Sequence, residues 1–171
     1  MIKIKSKWIK IVLLVLVVAA AAAAKPFYDG YSEYRKNAVP VLEYHSVGGS
    51  DEWPAEVIIK TEVFEKQLQY LHNNGYSMLS MEQMIDGFKN GKDMGKAVVL
   101  TFDDGYMDNY TNVFPLLKKY NANASFFIVQ SKIGKPNYMG HNEITELIRA
   151  GNDLASHTIN HNILTDIDPK Y

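Results

Sequence analysis

Seven residues, LTFDDGY from Leu100 to Tyr106, set two carboxylates side by side directly after a run of apolar β-formers. Asp103 and Asp104 in one pocket cannot both ionise cheaply. A divalent cation reverses that logic, because it becomes the largest local charge. One aspartate can then ligate the ion while the other acts as general base on a water. Gly105 leaves the backbone free to turn sharply after the pair. Taken alone, DDG reads equally as a turn or a helix cap. Further along, SHTINH places His157 and His161 four residues apart. One turn of helix would put both imidazoles on one face. Two histidines plus one carboxylate are a common catalytic zinc set that leaves a position open for water. Histidines in a loop after a strand are also ordinary surface residues, and the acid pair at another strand end is what gives them weight. A calcium loop of the D-x-[DN]-x-[DN]-G type does not fit these acids. A D-x-D phosphatase needs acids at alternate positions, and these are adjacent.

Such side chains need strands to aim them. The run KAVVLTF, Lys96 to Phe102, has no polar alternation, which predicts a strand buried on both faces of a parallel sheet. Ala38–Val47, Tyr76–Leu79, Ala124–Gln130 and the segment NDLASHT read as further strands. Helices are expected between them. Phe64, Leu68 and Leu71 share one face over 62–74, with Thr61 as cap and Gly75 as terminator. Ser80 and Gln83 form a capping box for a helix to about Phe88. A helix around Val113–Tyr120 tolerates Pro115 only in its first turn. Over 142–151, Ile144, Leu147 and Ile148 point inward and Gly151 ends the helix. Strand and helix alternate, so the fold class is α/β with parallel strands and flanking helices. In such folds sites form at the carboxyl ends of strands. Three predicted strands end there in polar residues: Tyr44-His45-Ser46, the DDG segment and SHTINH.

The chain has 171 residues, enough for one domain with a core. It has no cysteine, which excludes a disulfide framework, a thiolate zinc site and a cysteine nucleophile. The formal net charge is −1, but Lys3, Lys5, Lys7 and Lys10 lie in a first 24 residues that hold no acid. Beyond residue 24 there are 14 basic and 19 acidic residues, so nucleic acid is not an expected partner. The basic start leads into a 14-residue apolar run, Ile11–Ala24, stopped by Lys25-Pro26. Residues 1–24 read as a secretory signal peptide or an uncleaved membrane anchor, with the lysines cytoplasmic. Either places the protein outside the cytoplasm, secreted or anchored at the cell surface. Residues 25–37 read as a linker, and 38–171 as the domain.

LTFDDGY together with SHTINH resembles the first two motifs of the polysaccharide deacetylase family, the NodB-homology domain of carbohydrate esterase family four. T-F-D-D-G and H-T-x-x-H stand in the right order, about 50 residues apart. PVLEYHSV, FEKQLQYLHNNGY and YTNVFPLLKKYNANASFFIV are similar to the branch that contains poly-N-acetylglucosamine deacetylases. The resemblance covers about residue 38 onward. It implies a distorted (β/α) barrel with fewer than eight repeats. Asp103 would be the general base, and Asp104, His157 and His161 would hold a divalent metal, zinc before others. The substrate would be an acetylated cell-envelope or extracellular polysaccharide, cleaved to acetate and a free amine. His45, at the end of the first strand, and Tyr106, beside the acid pair, are candidate substrate contacts. His45 reads equally as a hydrogen-bonded core residue. His72 and His141 are assigned to structure or surface, although many relatives carry Trp at the latter position.

The family's later motifs, an arginine- and proline-containing segment and a late histidine acting as general acid, are not found before Tyr171. The expectation is therefore an N-terminal portion of a deacetylase, with too few strands to close the barrel. Removing one oxyanion donor alone typically costs ~10²–10³ in rate, so this chain by itself is expected to be nearly inactive. Two other readings stand beside the N-deacetylase: a metal-dependent polysaccharide O-acetyl esterase, and a non-catalytic glycan-binding remnant of the fold. A pure binder has no need of a base beside a metal.

Overall fold

The computed structural model describes residues 6–49 and 54–166. Lys3 and Lys5 of the basic start lie outside them. The chain divides into two units, Met1–Ala38 and Val39–Tyr171.

The first unit holds one helix, α1, Ser6–Asn37. The segment expected to be a linker is thus helical. Pro26 lacks an N–H donor and crowds the carbonyl one turn earlier. The alanine run before it is the best helix-forming sequence in the chain. Just across the proline, Lys25 and Asp29 form an i,i+4 ion pair of 2.8 Å, which supports the helix through that point. Among the described residues no helix is long and apolar enough to cross a membrane.

The second unit is built on a five-stranded sheet. Its strands are β1 (Val41–Tyr44), β4 (Ser77–Leu79), β5 (Ala97–Phe102), β6 (Ser125–Ile128) and β7 (Asp153–Ser156). The order is β1-β5-β6-β7, with β4 also on β5, and every pairing is parallel. Two short strands, β2 (Ser46–Val47) and β3 (Ile58–Ile59), form a separate parallel pair. The helices are α2 (Thr61–Asn73), α3 (Met81–Lys89), α4 (Phe114–Lys119) and α5 (His141–Arg149). Among the described residues β1 and β7 each have one neighbour in this sheet, so the sheet is open at both sides.

All six residues of β5 are buried, as its unbroken apolar run demands. Phe102 sits at the middle of the core, stacked on Tyr44 at 5.3 Å and on Phe126 at 5.2 Å, with Phe64 edge-on at 5.7 Å. Phe64 and Leu68 from α2, Phe114 and Leu117 from α4, and Ile144 and Leu147 from α5 cover the sheet. The register places Tyr44 level with Phe102, Phe102 level with Phe126, and Ile128 level with Ser156. The residues that follow those strand ends therefore share one rim.

Several local expectations need correction. The strand expected over 38–47 breaks at His45, because Ser46 and Val47 leave the main sheet to pair with Ile58 and Ile59. Thr61 is the first residue of α2 rather than its cap, and Lys60 caps without a side-chain bond. Ile148 is 48% exposed, so α5 buries Ile144 and Leu147 alone of the three. A wide π-type turn, Asn109–Val113, precedes α4, and Pro115 falls in the first turn of α4 as required. The Ser80–Gln83 capping box is present in both directions.

Candidate metal centre

Asp103 begins where β5 stops. Its N–H donates to Tyr44 O at 2.9 Å, continuing the β1–β5 ladder for one more step. The next residue leaves that ladder: Asp104 has φ 69° and Gly105 has φ 80°. A non-glycine residue in the left-handed region costs ~1–3 kcal/mol and is found where structure over-determines it, commonly at functional sites. The reversal buries the Asp104 side chain while Asp103 remains half-buried.

Beneath Asp104 lies Tyr106, which is buried and hydrogen-bonded to the Asp104 carboxylate. Burial, together with that bond and the Asp104 charge, pushes the Tyr106 phenol far up. Tyr106 also packs against Tyr138 at 5.3 Å and pairs with it as an isolated antiparallel bridge. Tyr106, expected as a substrate contact, is thus bonded to the carboxylate of the acid pair.

The histidines arrive on the loop after β7. His157 N–H donates to Ile128 O at 2.8 Å, which ties the loop to the end of β6. No helix forms here, contrary to the spacing argument. Thr158 and His161 take left-handed backbone at φ 67° and 55°. The His161 N–H donates to Thr158 Oγ1 at 2.8 Å, closing a tight turn that brings the second imidazole back over the first. Their ring centroids are 4.9 Å apart. Gln130 and Ser131 donate to Thr158 O and Ile159 O, holding the loop from the β6 side.

Asp104 Oδ1 lies 3.6 Å from His157 Nε2 and 3.5 Å from His161 Nε2. These separations are too long for hydrogen bonds. They match donors converging on a common point: two ligands of a tetrahedral zinc stand roughly 3.3–3.5 Å apart, given metal–ligand distances of about 2.0–2.2 Å. Asp104 Oδ1 is buried and has no hydrogen-bond partner. An orphaned carboxylate oxygen is costly to bury, and a cation between it and the imidazoles supplies the missing partner. The donor set, one carboxylate and two imidazoles, suits zinc and leaves a ligand position free.

Asp103 stands beside this triad, its Oδ2 at 3.9 Å from His157 Nε2. Burial raises its carboxyl above the usual aspartate range, His157 opposes the rise, and Glu43 adds to it. Asp103 also belongs to a second cluster with Glu43 and His45, whose ligand-type atoms all lie within 4.8 Å of one another. His45 therefore stands at the same rim as the acid pair, while His72 and His141 are exposed and elsewhere. A cavity of about 220 Å³ lies next to Glu43 and His45, bounded across from them by Glu56 and Ile58.

Sequence reasoning missed Glu43, Asp108 and Asn109. Asp108 and Asn109 follow the acid pair on the same segment, and their bonds run to the chain around His45. The only signal in the sequence is that Asp108 and Asn109 follow DDGY closely, ahead of the helix expected around Val113–Tyr120.

Residues 90–171 match the family model described as polysaccharide deacetylase. A Staphylococcus epidermidis poly-beta-1,6-N-acetyl-D-glucosamine N-deacetylase is 30% identical over 145 residues, covering 74% of this chain and 50% of its own. The Escherichia coli (strain K12) protein of the same name is 34% identical over 101 residues, 58% of this chain and 15% of its own. This chain thus spans half the length of the curated relatives it matches, or less. Among solved structures, the Streptococcus pyogenes deacetylase PplD in complex with acetate superposes with a TM-score of 0.68 at 31% identity. That match covers 77% of this chain and 61% of PplD. With its strand order, its DDG turn and its histidine loop, the chain belongs to the polysaccharide deacetylase family.

Proposed function

We propose that this protein takes part in metal-dependent hydrolysis of N-acetyl groups on a poly-N-acetylglucosamine-type polysaccharide of the cell envelope. The observation that carries the reading is the convergence of Asp104, His157 and His161 around an unpartnered carboxylate oxygen, with Asp103 at its side. Asp104, His157 and His161 would hold the ion, which when bound supplies a Lewis acid for the acetyl carbonyl and acidifies a water. Asp103 is outside that set and near enough to take the proton from the attacking water. Half-burial keeps its carboxylate basic, which suits a proton acceptor. His45 and the cavity beside it offer a place for the sugar, with Glu43 and Glu56 as hydrogen-bond acceptors for hydroxyl groups. The names of the relatives, and the acetate in PplD, support an acetylated glycan as substrate and acetate as product. The basic and then apolar N-terminus supports a place outside the cytoplasm.

The test is zinc binding and acetate release by the full chain, compared across substitutions. Zinc affinity should collapse in Asp104→Ala and His157→Ala. In Asp103→Asn it should survive, while acetate release from an N-acetylglucosamine oligomer falls ~10²–10⁴-fold. Equal loss of zinc in all three would sink this division of labour. Free amine appearing with the acetate distinguishes N-deacetylation from ester cleavage, which leaves a free hydroxyl.

A further inference from the structure

We infer that Asp108 and Asn109 are positioning residues, which clamp the backbone around His45 and so fix that imidazole beside Asp103. The inference rests on the deacetylase reading of the site.

Four polar groups of the chain at residues 45–47 are taken up by one short segment. Asn109 Nδ2 donates to His45 O at 2.7 Å. Ser46 Oγ donates to Asp108 Oδ2 at 2.8 Å, and Val47 N–H donates to Asp108 Oδ1 at 3.0 Å. Asn112 Nδ2 donates to Val47 O at 2.6 Å. Asn109 Nδ2 also reaches Asp108 Oδ1 at 3.0 Å, so the two clamp residues are tied to each other. The π-type register of Asn109–Val113 widens this turn, and such widenings are frequent at functional sites.

Packing alone does not call for this arrangement. Asn109 is fully buried with its Oδ1 unpartnered, and an apolar residue would fill the space without that penalty. Asp108 is a partly buried carboxylate, and among the described residues it has no ion pair. What the pair gains is a fixed relation between two strand ends. The segment from Asp103 to Asn112 carries the base at its start and, at its far end, the groups that hold His45. His45 interrupts the strand, so neither the β1 ladder nor the β2 pairing fixes it. The clamp supplies that restraint from the same segment that presents Asp103.

The experiment uses the zinc-loaded full chain and the histidine Cε1–H signals in proton–carbon NMR, with His45 assigned from His45→Gln. Asp108→Ala and Asn109→Leu should each displace or broaden the His45 signal. Those of His157 and His161 should stay in place, and zinc affinity should stay within about twofold. Acetate release should fall ~10–100-fold, the usual effect of removing an outer supporting group. In a His45→Gln background the same substitutions should cause no further loss. If Asp108→Ala does not fold, Ser46→Ala removes one bond to the same carboxylate and should move the His45 signal in the same direction. An unmoved His45 signal, or equal further loss without His45, overturns the inference. No zinc taken up by the unsubstituted chain, with a displaced His45 signal in the variants, counts against the deacetylase reading and for the clamp. Acetate release with an unmoved signal counts against the clamp alone.

Discussion

The Asp104 carboxylate has two different oxygens. One is buried and faces the two imidazoles without a hydrogen-bond partner. The carboxylate as a whole is bonded to the Tyr106 phenol, which is itself buried and backed by Tyr138. A ligating carboxylate that is hydrogen-bonded from behind cannot rotate away from the metal, and such supports typically contribute ~10–100-fold in affinity or activity. Tyr106→Phe removes that bond and little volume. Zinc affinity measured by competition with a chelating dye should drop within that range, with the fold intact by circular dichroism. An unchanged affinity would return Tyr106 to the substrate side. Asp108 yields a second residue-scale prediction. Burial raises its carboxyl above the ordinary value of 3.8, against the opposing bonds from Val47, Ser46 and Asn109. Between that value and its folded pKa, the folded state holds a proton that the unfolded state has lost. The resulting stabilisation is full below the unfolded pKa and disappears as pH rises through the folded one. Urea unfolding of the wild type and Asp108→Asn from pH 3.5 to 7 should therefore show a wild-type advantage that shrinks as pH rises. A difference that grows with pH would reverse the sign and the account.

At the scale of elements, the contrast between what could and could not be read from sequence has a physical cause. β5 was legible because an unbroken apolar run has one good solution, burial on both faces. α3 was legible because its capping box lies within four consecutive residues. The break at His45 was not, since it depends on pairing with Ile58 and on bonds from Asp108 and Asn109, far away in sequence. The chemistry of His157 and His161 was legible from residue type, but the way they meet was not. Two left-handed residues and a threonine hydroxyl bring the rings together, where spacing alone offered only a turn of helix as the means. Exposure of Ile148 follows from where α5 lies on the sheet, which its own periodicity does not encode. Gly105 is the element-scale test, because the β5 exit turns on it. Its φ is +80°, and an added Cβ would lie 2.8 Å from Ile128 Cδ1. Gly105→Ala should cost ~1–2 kcal/mol from backbone handedness alone, with more if Ile128 cannot shift. Denaturant unfolding gives that figure, and zinc affinity should fall with it because Asp104 sets out from the same turn. A neutral result would mean that the turn relaxes without disturbing the strand end.

For the molecule as a whole, the candidate metal centre spans the sheet. Asp104 comes from the end of β5 and the histidines from the loop after β7, with β6 between them. No two of these strand ends are held by local sequence, so the donors meet only when the sheet is assembled. An ion bound there stabilises the folded state, with little competing affinity for the unfolded chain. Free zinc at a hundredfold excess over its Kd should add about 2.7 kcal/mol. For a unit of this size that corresponds to a Tm rise of roughly 8–13 °C. Without the ion, Asp104 Oδ1 remains buried and unpartnered, so the apo protein carries the penalty of that oxygen as well. Calorimetry of the chelator-treated chain, titrated with zinc, measures both effects. Asp104→Ala removes the buried charge and one ligand together. Its apo form should therefore melt near or above the apo wild type, yet gain almost nothing from zinc. Calcium or magnesium should leave both unchanged, because two imidazoles and one carboxylate suit a softer ion. A zinc-dependent rise of equal size in Asp104→Ala would place the bound ion elsewhere on the molecule, and the convergence at the strand ends would then be geometry without a ligand.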